Sequence, residues 1–574
     1  MRTVNSFVEI LRSRAAHEPD AVAFTFARDL GEPEDVLTYA ALDRGARAIA
    51  ARLQERGMTG QRAVLLYPPG VDYVVAFFAC LYAGTVAVPA YPPRDNASLD
   101  RVIKVVERAG AAVMLTTSRV QLSIAKIAPD LSHLEVQWLT TEVRDDQYAE
   151  FWVQHEPARH ATAIIQFTSG STGNPKGVVI SHGNLLTNSG LICDAMELGP
   201  ASRGVIWLPP YHDMGLIGGV LQPIYAGFPV HLMSPALFIQ RPLRWLQAIS
   251  EKRATISGAP NFAYDLCVDR VSADKLEGLD LSHWQLAFNG AEPLRASTMR
   301  AFAEFFGPCG FRQSSFFPCY GLAEATLLVS GSRLVSEPKT LDVSVQALEN
   351  NLKAAAQGEA DRKILVGSGR PVKALKLRIV DVESRLPCAD GRIGEIWVQG
   401  DTVASGYWQN PDMTANTFNA SVALEAGVGS YLRTGDLGFL EQGELYVTGR
   451  LKDLIIVRGK NHYPQDIEDT VTGSHDGLQK GSAAAFLLDD DAALGVAVEV
   501  RRGFSGDPAQ AETAIIHAVS KLHGLAVKQV ALLRPGSIAK TSSGKVRRFL
   551  CRRQMGDGTL AIFVDKSAEI GKTL

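Results

Sequence analysis

Apolar stretches with helical and strand periodicity alternate along the first half of this chain. A predicted helix over 39–55 is followed by a strand over 63–67, and a helix over 102–108 by a strand over 113–116. The alternation continues as far as a predicted strand over 285–288. Such alternation is the signature of an α/β fold with a mostly parallel sheet.

The pattern changes near Gly449, where a segment rich in charged residues is followed by a region in which the apolar stretches repeat at shorter intervals. After it we predict strands over 483–488, 495–500 and 530–533, with a helix over 512–523. These elements indicate a small α+β domain of about 120 residues, which is an ordinary domain size.

One uncharged stretch, between Asp72 and Arg94, is long enough to span a bilayer. A glycine and three prolines interrupt it, so we predict a buried helix over 71–83, a turn and a strand over 86–89. The first ten residues lack a basic region followed by an apolar run. We therefore expect neither a signal peptide nor a transmembrane segment.

Composition narrows the classes of function. A chain of 574 residues is too long for one core, so two to four domains are expected. The net charge of −3 argues against a polyanion-binding surface, and no nucleic acid partner is expected. Seven cysteines without a Cys-x-x-Cys pair predict reduced thiols in a cytoplasmic protein.

A Ser/Gly-rich stretch separates two predicted strands, over 161–167 and 178–180. Within ten residues it has three glycines, four hydroxyls and Lys176, the parts of a nest for phosphate oxygens. Its candidate phosphate ligands are Thr168, Ser169, Gly170, Ser171, Thr172, Gly173 and Lys176. On these residues alone, a flexible hairpin turn is an equally good interpretation.

Two established patterns do not fit this stretch. A two-residue hairpin turn is too short for the separation between the strands. The Walker A spacing also fails, because Pro175 stands where that motif has glycine and no Ser or Thr follows Lys176. A phosphate loop here would differ from that of P-loop NTPases.

Further polar residues follow predicted strands, at the sheet edge where α/β proteins bind ligands. His212 lies between a strand and an apolar helix, and Gly290 in 289–293 would let a flat ring approach the backbone. An N-terminal cap at Asp213 and a plain turn at 289–293 are the simpler interpretations.

Three more candidates lie in the second half of the chain. Tyr320 could stack on a base and Glu324 could hold a divalent cation, although their segment also suits a helix start. Asp436, beside two glycines, could accept from ribose hydroxyls or belong to a hairpin. Lys545 lies in a Thr/Ser/Gly turn that suits either a delivered cation or a basic surface.

Taken in this order and spacing, the stretches resemble the adenylate-forming superfamily of acyl-activating ligases, from about Ser6 to Arg553. Within it the chain is most similar to fatty acyl-AMP ligases. The sequence words that carry this likeness are Val88–Pro93, Trp207–Gly219, Ser257–Asp265 and Lys460–Glu468.

The resemblance implies an α/β fold in two domains. The large N-terminal domain, residues 1–451, would have mostly parallel sheets plus a small β-barrel-like part. The smaller C-terminal α+β domain, residues 452–574, would be mobile, with its hinge near Lys452. A hinge residue absorbs the backbone change that moves one domain against the other.

The resemblance also implies a two-step reaction with ATP and Mg²⁺ as cofactors. A fatty acid carboxylate would attack the α-phosphorus of ATP, giving acyl-AMP and pyrophosphate. The phosphopantetheine thiol of an acyl carrier protein would then take the acyl group. Since few residues follow Arg553, the carrier protein is expected in trans.

Residue roles follow from the same resemblance. Thr168 to Lys176 would wrap the β- and γ-phosphates, and Glu324 with Thr172 would hold Mg²⁺. His212 would lie beside the carboxylate, and Lys545 would bridge it to the leaving oxygens. The nucleoside would be held by Asn289, Gly290, Ala291, Glu292, Tyr320, Gly321, Leu322, Ala323, Asp436 and Arg450.

An insertion at about 331–366, with a helix expected over 345–356, bears on whether CoA or a carrier protein supplies the accepting thiol. Acyl-CoA ligases of the superfamily are shorter here, whereas fatty acyl-AMP ligases carry such a segment, which is thought to disfavour CoA. A plain surface excursion is the simpler interpretation. An acyl-CoA synthetase is the alternative function, followed by a non-catalytic nucleotide- or lipid-binding protein.

The acyl pocket is harder to predict. Met214, Ile217, Phe238 and Phe262 would suit either its lining or the core. The sequence therefore does not indicate a chain length.

Overall fold

The computed structural model describes residues 4–29, 32–93, 95–128, 131–142, 146–168, 175–423, 429–488, 493–541 and 544–563. The helices are α1 (Phe7–His17), α2 (Tyr39–Glu55), α3 (Val71–Ala83), α4 (Asn96–Ala109), α5 (Ser118–Ile127), α6 (His182–Met196), α7 (Gln222–Ala226), α8 (Pro235–Gln240), α9 (Leu243–Glu251), α10 (Asn261–Arg270), α11 (Ala296–Phe306), α12 (Val345–Glu349), α13 (Pro411–Phe418), α14 (Pro464–Gly473), α15 (Pro508–His523) and α16 (Arg548–Gly556).

The strands of the first half are β1 (Val22–Ala27), β2 (Asp35–Thr38), β3 (Arg62–Leu66), β4 (Val86–Ala90), β5 (Val113–Thr116), β6 (Gln137–Thr140), β7 (Thr162–Thr168), β8 (Lys176–Ser181), β9 (Gly204–Ile206), β10 (Val230–Met233), β11 (Ile256–Gly258) and β12 (Leu286–Asn289). Those of the second half are β13 (Phe316–Gly321), β14 (Leu328–Gly331), β15 (Thr340–Ser344), β16 (Arg362–Val366), β17 (Arg370–Pro371), β18 (Lys376–Val380), β19 (Gly394–Gln399), β20 (Leu432–Glu441), β21 (Glu444–Arg450), β22 (Ile455–Val457), β23 (Lys460–His462), β24 (Leu478–Leu487), β25 (Leu494–Val500) and β26 (Val527–Leu533).

Two sheets carry the N-terminal part of the protein, residues 4–451. One has six strands in the order β6-β5-β3-β4-β7-β8 and is parallel except for β8. The other has nine, β17-β14-β13-β12-β11-β9-β10-β1-β2, with antiparallel strands at its edges. The predicted α/β fold is confirmed, and its parallel strands are buried because helices cover both faces.

The uncharged helix predicted over 71–83 is α3, and it lies in the core. Every residue of α3 except Asp72 is buried. Across the part of the chain that the structure describes, no helix combines the length and apolar character needed to cross a membrane.

An antiparallel sheet in the order β18-β19-β20-β21 corresponds to the expected β-barrel-like part. It is an open sheet, and its strands β20 and β21 place Asp436 opposite Arg450. This pairing fixes the two side chains at one end of the sheet.

The inserted segment forms a hairpin of β15 and β16 with the short helix α12 between them. The prediction of a helix as far as Ala356 was wrong. The helix ends at Glu349 because Asn351 takes a left-handed backbone, with φ of 55°. Asparagine adopts this conformation more readily than most residues.

The C-terminal part, residues 452–563, has its own buried cluster of apolar side chains. Its sheet has the order β24-β25-β26, with α14 and α15 packed against it. Ile467, Val496 and Ile515 are among the fully buried residues of this cluster. The strands and the helix predicted after Gly449 are confirmed.

Arg548 ties three elements of the C-terminal part together. Its guanidinium donates to both carboxylate oxygens of Glu468, at 2.6 and 2.7 Å, and to Asp453 at 2.9 Å. Glu468 also accepts from the backbone N–H of Ala485 at 3.0 Å. Two-point arginine–carboxylate pairs are among the stronger polar contacts.

We expect Arg548→Met to lower the free energy of unfolding of the C-terminal part by about 2–4 kcal/mol, because Glu468 would keep its burial and lose its cation. Urea denaturation followed by circular dichroism measures this. The matched control is Arg553→Met, an exposed residue of the same helix. Equal stability of the two variants would contradict the assignment.

Candidate active site

A cavity of about 1810 Å³ lies between the N-terminal and C-terminal parts. It is lined by the carboxyl ends of β7 and β13, by the amino-terminal half of β20, by Arg450 at the end of β21, and by the turn that carries Lys545. In open α/β sheets, the carboxyl ends of strands are where ligands bind. The cavity therefore brings residues from distant parts of the sequence to one place.

The Ser/Gly-rich stretch connects β7 to β8, which pair antiparallel with Thr168 opposite Lys176. It is thus a long hairpin connection. The predicted ligands Ser169, Gly170, Ser171, Thr172 and Gly173 lie outside the described residues. Thr168 and Lys176 both line the cavity.

Lys176 contacts a residue that we did not predict, Tyr407. The Lys176 ammonium lies 5.1 Å from the centre of the Tyr407 ring, within the range of a cation–π contact. Burial lowers the pKa of Lys176, Lys452 lowers it further, and Glu324 opposes both. The site thus holds a cation whose charge is only partly balanced by the protein.

Glu324 is oriented by the same tyrosine. The Tyr407 hydroxyl donates to Glu324 Oε1 at 2.8 Å, which leaves Oε2 for another ligand. Glu324 lines the cavity with Lys176, and an oxygen donor beside a phosphate-binding segment suits Mg²⁺. Among the described residues, no group of three or more His, Cys, Asp or Glu could hold a metal.

The segment 289–292 approaches the neighbouring strand closely. A side chain at Gly290 would place its Cβ 2.9 Å from the carbonyl oxygen of Cys319. Ala291 has a φ of 70°, rare for a residue with a side chain. Ala291 and Glu292 line the cavity, so the strained backbone is exposed to a ligand.

Asn289 is fully buried, and its side-chain amide bonds to another residue of the protein instead of lining the cavity. Its Nδ2 donates to Asn261 Oδ1 at 3.1 Å, and Asn261 Nδ2 donates to the carbonyl of Pro293 at 2.6 Å. This chain of hydrogen bonds holds the loop after β12. Glu292 accepts from the backbone N–H of Phe262 at 3.0 Å.

Asp436 is held from two sides. The Tyr320 hydroxyl donates to its Oδ2 at 2.8 Å, and Arg450 Nε donates to its Oδ1 at 3.1 Å. Asp436 raises the pKa of Arg450, against the effect of burial. Burial raises the pKa of Tyr320, and the negative charge of Asp436 raises it further. The predicted residues Gly321, Leu322 and Ala323 continue this wall of the cavity.

His212 is neutral at pH 7. Burial lowers its pKa to about 4, with Lys545 and Arg101 adding to the effect and Asp213 opposing it. Asp213 accepts from the backbone N–H of Met214 at 2.7 Å, so the capping interpretation of Asp213 is also correct. The cap holds Asp213 beside His212, where its charge acts on the imidazole.

Lys545 comes from the C-terminal part and reaches the cavity between the two parts. Burial lowers the pKa of Lys545, as does Arg450, while Asp213, Asp436 and Glu292 oppose them. Its turn lies against the N-terminal part, because a Cβ at Gly544 would be 2.9 Å from the Phe262 ring. A second contact between the parts joins Arg295 to Asp469 at 2.9 Å.

Two residues of the site were not predicted to take part in it. Tyr407 was not predicted at all, and Asp213 was interpreted only as a helix cap. Tyr407 lies outside every predicted segment, and no local signal indicates its contacts with Lys176 and Glu324. Asp213 had a signal, because it is an acidic residue beside the candidate His212.

A polar cavity at the carboxyl ends of parallel strands is where α/β proteins bind ligands, nucleotides among them. Residues 11–408 match the family described as AMP-binding enzyme, and residues 452–563 match the Disco-interacting protein 2-like AMP domain. This chain belongs to the AMP-binding enzyme family.

Curated relatives match almost the whole chain. It is 40% identical to the medium-chain-fatty-acid–[acyl-carrier-protein] ligase JamA of Moorena producens, covering 97% of this chain and 96% of that protein. Identity to the ligase TtuA of Teredinibacter turnerae, which carries the same description, is 34%, covering 95% and 92%.

A solved structure is also similar. It is the fatty acyl-adenylate ligase of Legionella pneumophila in complex with acyl adenylate and pyrophosphate. It is 42% identical, with a TM-score of 0.77, and the match covers 98% of this chain and 97% of that one.

Three histidines, the buried His182 and His231 and the half-buried His212, make stability depend on pH. Burial lowers the pKa of His182, His212 and His231 to about 4, below the unfolded value of about 6.5. Between these values the unfolded chain binds more protons, so stability is lost as pH falls from about 6.5 to 4.

We expect His182→Leu to reduce the dependence of the unfolding free energy on pH by ~1.4 kcal/mol per pH unit, because one proton fewer is taken up on unfolding. Urea denaturation at pH 5, 6 and 7 measures the slope. The exposed His133, changed to Leu, is the control and should keep the wild-type slope. An unchanged slope in His182→Leu would contradict the buried neutral state.

Proposed function

We propose that the protein activates a fatty acid with ATP to acyl-AMP and pyrophosphate, then transfers the acyl group to the phosphopantetheine thiol of an acyl carrier protein. The observation that carries this is the position of Lys545 in the cavity, where Asp213, Asp436 and Glu292 act on its charge. A cation brought by a separate part of the chain suits a reaction that neutralises developing charge.

In the first step a carboxylate oxygen of the fatty acid attacks the α-phosphorus of ATP. The bond from that phosphorus to the oxygen bridging to the β-phosphate breaks, and pyrophosphate leaves. Lys545 donates to the attacking carboxylate and the α-phosphate oxygens. Thr168, Lys176 and the segment between them hold the β- and γ-phosphates, so the protein acts mainly by positioning and charge.

His212 orients the carboxylate in this scheme. The substrate carboxylate is already an anion at pH 7 and needs no general base. A neutral imidazole can donate one N–H to it without adding charge. The low pKa of His212, about 4, supports this role.

Mg²⁺ would be held by Glu324, with the hydroxyl of Thr172, which lies outside the described residues, as a further ligand. It would neutralise phosphate charge. Tyr407 keeps the Glu324 carboxylate oriented through its 2.8 Å hydrogen bond. Oxygen ligands from a single carboxylate and a hydroxyl are typical of Mg²⁺ that arrives with a nucleotide.

The nucleoside would be held by the part of the cavity lining that contains Asp436, Tyr320 and Arg450. Asp436 accepts hydrogen bonds from the ribose hydroxyls, and Arg450 and Tyr320 fix the orientation of the Asp436 carboxylate. The backbone of 290–292 and of 321–323 frames the adenine, and the presence of Ala291, Glu292 and residues 321–323 in the cavity lining supports this.

In the second step the thiol sulfur attacks the acyl carbonyl carbon. The bond from that carbon to the phosphate oxygen breaks, AMP leaves and the thiol proton passes to solvent. We propose domains of 1–451 and 452–574 that rotate about Lys452 between the two steps. The short helical turn Leu451–Asp453 at this position supports the hinge.

The contacts of the inserted segment support a carrier protein as acceptor. Lys363 forms an ion pair with Asp466 at 2.7 Å, and Glu349 with Lys460 at 3.0 Å. Tyr463 is buried against the insertion. These contacts tie the C-terminal part to the insertion and would restrict the rotation that admits CoA. An acyl-CoA synthetase is the alternative.

The relatives JamA and TtuA, described as ligases for an acyl carrier protein, support the same acceptor. We also propose a cytoplasmic location, since all seven cysteines are free, as in reducing compartments.

Replacing Lys545 with Ala should reduce pyrophosphate release with ATP and a fatty acid by about 10²–10³-fold, because charge on the leaving oxygens loses its cation. Transfer from supplied acyl-AMP to holo carrier protein should change much less. The control is the exposed Arg553→Ala. Retained adenylation in Lys545→Ala would remove the assigned role, and no adenylation by the wild type would favour a binding protein.

Releasing the insertion should change the acceptor. Lys363→Ala is expected to increase acyl-CoA formation several-fold while acyl-AMP formation stays the same, because the ion pair with Asp466 is lost. Chromatography of the products with CoA or holo carrier protein measures this. Arg362→Ala is the control, since Arg362 pairs within the insertion, with Asp342 and Glu359. Efficient CoA use by the wild type would favour the alternative.

A further inference from the structure

One wall of the cavity is a helical segment of unusual geometry. Met214–Leu221 is a π-helix, and α7 continues it from Gln222. Met214, Gly218 and Gln222, spaced by four residues, all line the cavity. A π-helix has more than four residues per turn, so the three positions lie close to one face and the cavity follows the segment.

The far end of this wall is polar. Gln222 is 1% exposed, and its Nε2 donates to the carbonyl of Ser189 at 3.2 Å and to the Cys193 sulfur at 3.0 Å. A carbonyl can only accept, so the amide nitrogen must face Ser189 and the orientation of the side chain is fixed. Oε1 then faces away from both partners.

Gln222 Oε1 has no hydrogen-bond partner within the described ranges, and neither does the hydroxyl of the fully buried Ser189. More than nine in ten buried polar groups are paired in native proteins. Leaving a buried amide oxygen unpaired is unfavourable, and the cavity that Gln222 lines is also lined by apolar residues such as Ile192 and Met196. A hydroxyl group that enters this end of the cavity would supply the missing donor.

The distance suits an acyl chain. The helical rise from Met214 to Gln222 covers about 10 Å, the length of an extended chain of about eight carbons. Met214 follows His212 and Asp213 directly, at the end where the carboxylate is placed. A group near Gln222 would therefore belong to the distal part of the chain.

We propose that Gln222 Oε1 accepts a hydrogen bond from a hydroxyl group on the distal part of the acyl chain, so that hydroxylated fatty acids are preferred to plain alkyl acids. This inference rests on the proposed function. A site built to bond a hydroxyl discriminates against the analogue that lacks it, because its own polar group is then unpaired.

The test compares acids of six to twelve carbons with and without a hydroxyl at the terminal carbon. We expect kcat/KM for pyrophosphate release to be at least about 10-fold higher for one hydroxy acid than for its alkyl parent, or ~1.4 kcal/mol. In Gln222→Met, of similar length and without the acceptor, the two values should become equal or reverse. Met196→Leu alters the same wall, keeps Oε1 and should retain the preference.

Binding gives a second measurement that does not depend on turnover. A non-hydrolysable acyl sulfamate of adenosine, made with and without the hydroxyl, should raise the melting temperature of the wild type more when hydroxylated. Gln222→Leu should lose this difference. Unfolding curves without ligand show whether each variant folds, and the wild-type ratio between acids stands even if both variants fail to fold.

The outcomes separate the two proposals. Turnover of plain acids at every length without a hydroxyl preference would overturn this inference and leave the proposed function intact. An unchanged preference in a folded Gln222→Met would also overturn it, and would mean that another residue recognises the hydroxyl. No pyrophosphate from any acid would overturn the proposed function together with the inference.

Discussion

The site depends on keeping the ammonium of Lys545 charged while it is withdrawn from water. Burial lowers its pKa, and so does Arg450, whereas Asp213, Asp436 and Glu292 favour the charged form. All three carboxylates belong to the N-terminal part and the lysine to the C-terminal part. Desolvation of a charge is unfavourable unless such partners compensate it, so the charge balance holds only when the parts lie together.

Fixed hydrogen bonds place those carboxylates. Asp436 is held by Tyr320 and Arg450, Glu292 accepts from the backbone N–H of Phe262, and Asp213 caps the segment after it. Each of these hydrogen bonds occupies only part of the acceptor capacity of a carboxylate, so the carboxylate can still accept a hydrogen bond from a ligand. The polar framework is thus set before a ligand binds, which lowers the cost of ordering the site.

The fold could be predicted from the sequence where it is local. Apolar periodicity indicated the alternating strands and helices, whereas Arg450 was predicted only from the resemblance, and Asp436 lies within β20 rather than at a strand end. The helix over 345–356 was too long, because the left-handed backbone of Asn351 leaves no periodic signal. The contact of Tyr407 with Glu324, 83 residues apart, and the unpaired oxygen of Gln222 depend on packing between distant segments, which one sequence does not encode locally.

The π-helix along the cavity also bears on how substrate range can evolve. Deleting one residue from Met214–Leu221 would replace the i→i+5 hydrogen bonds of the π-helix with the i→i+4 bonds of an α-helix, so the chain before and after the segment would keep its place. The positions of Met214 and Gly218 relative to Gln222 along the cavity wall would change instead. The sheets would be untouched, so a single deletion could reshape this one wall while the rest of the cavity is kept.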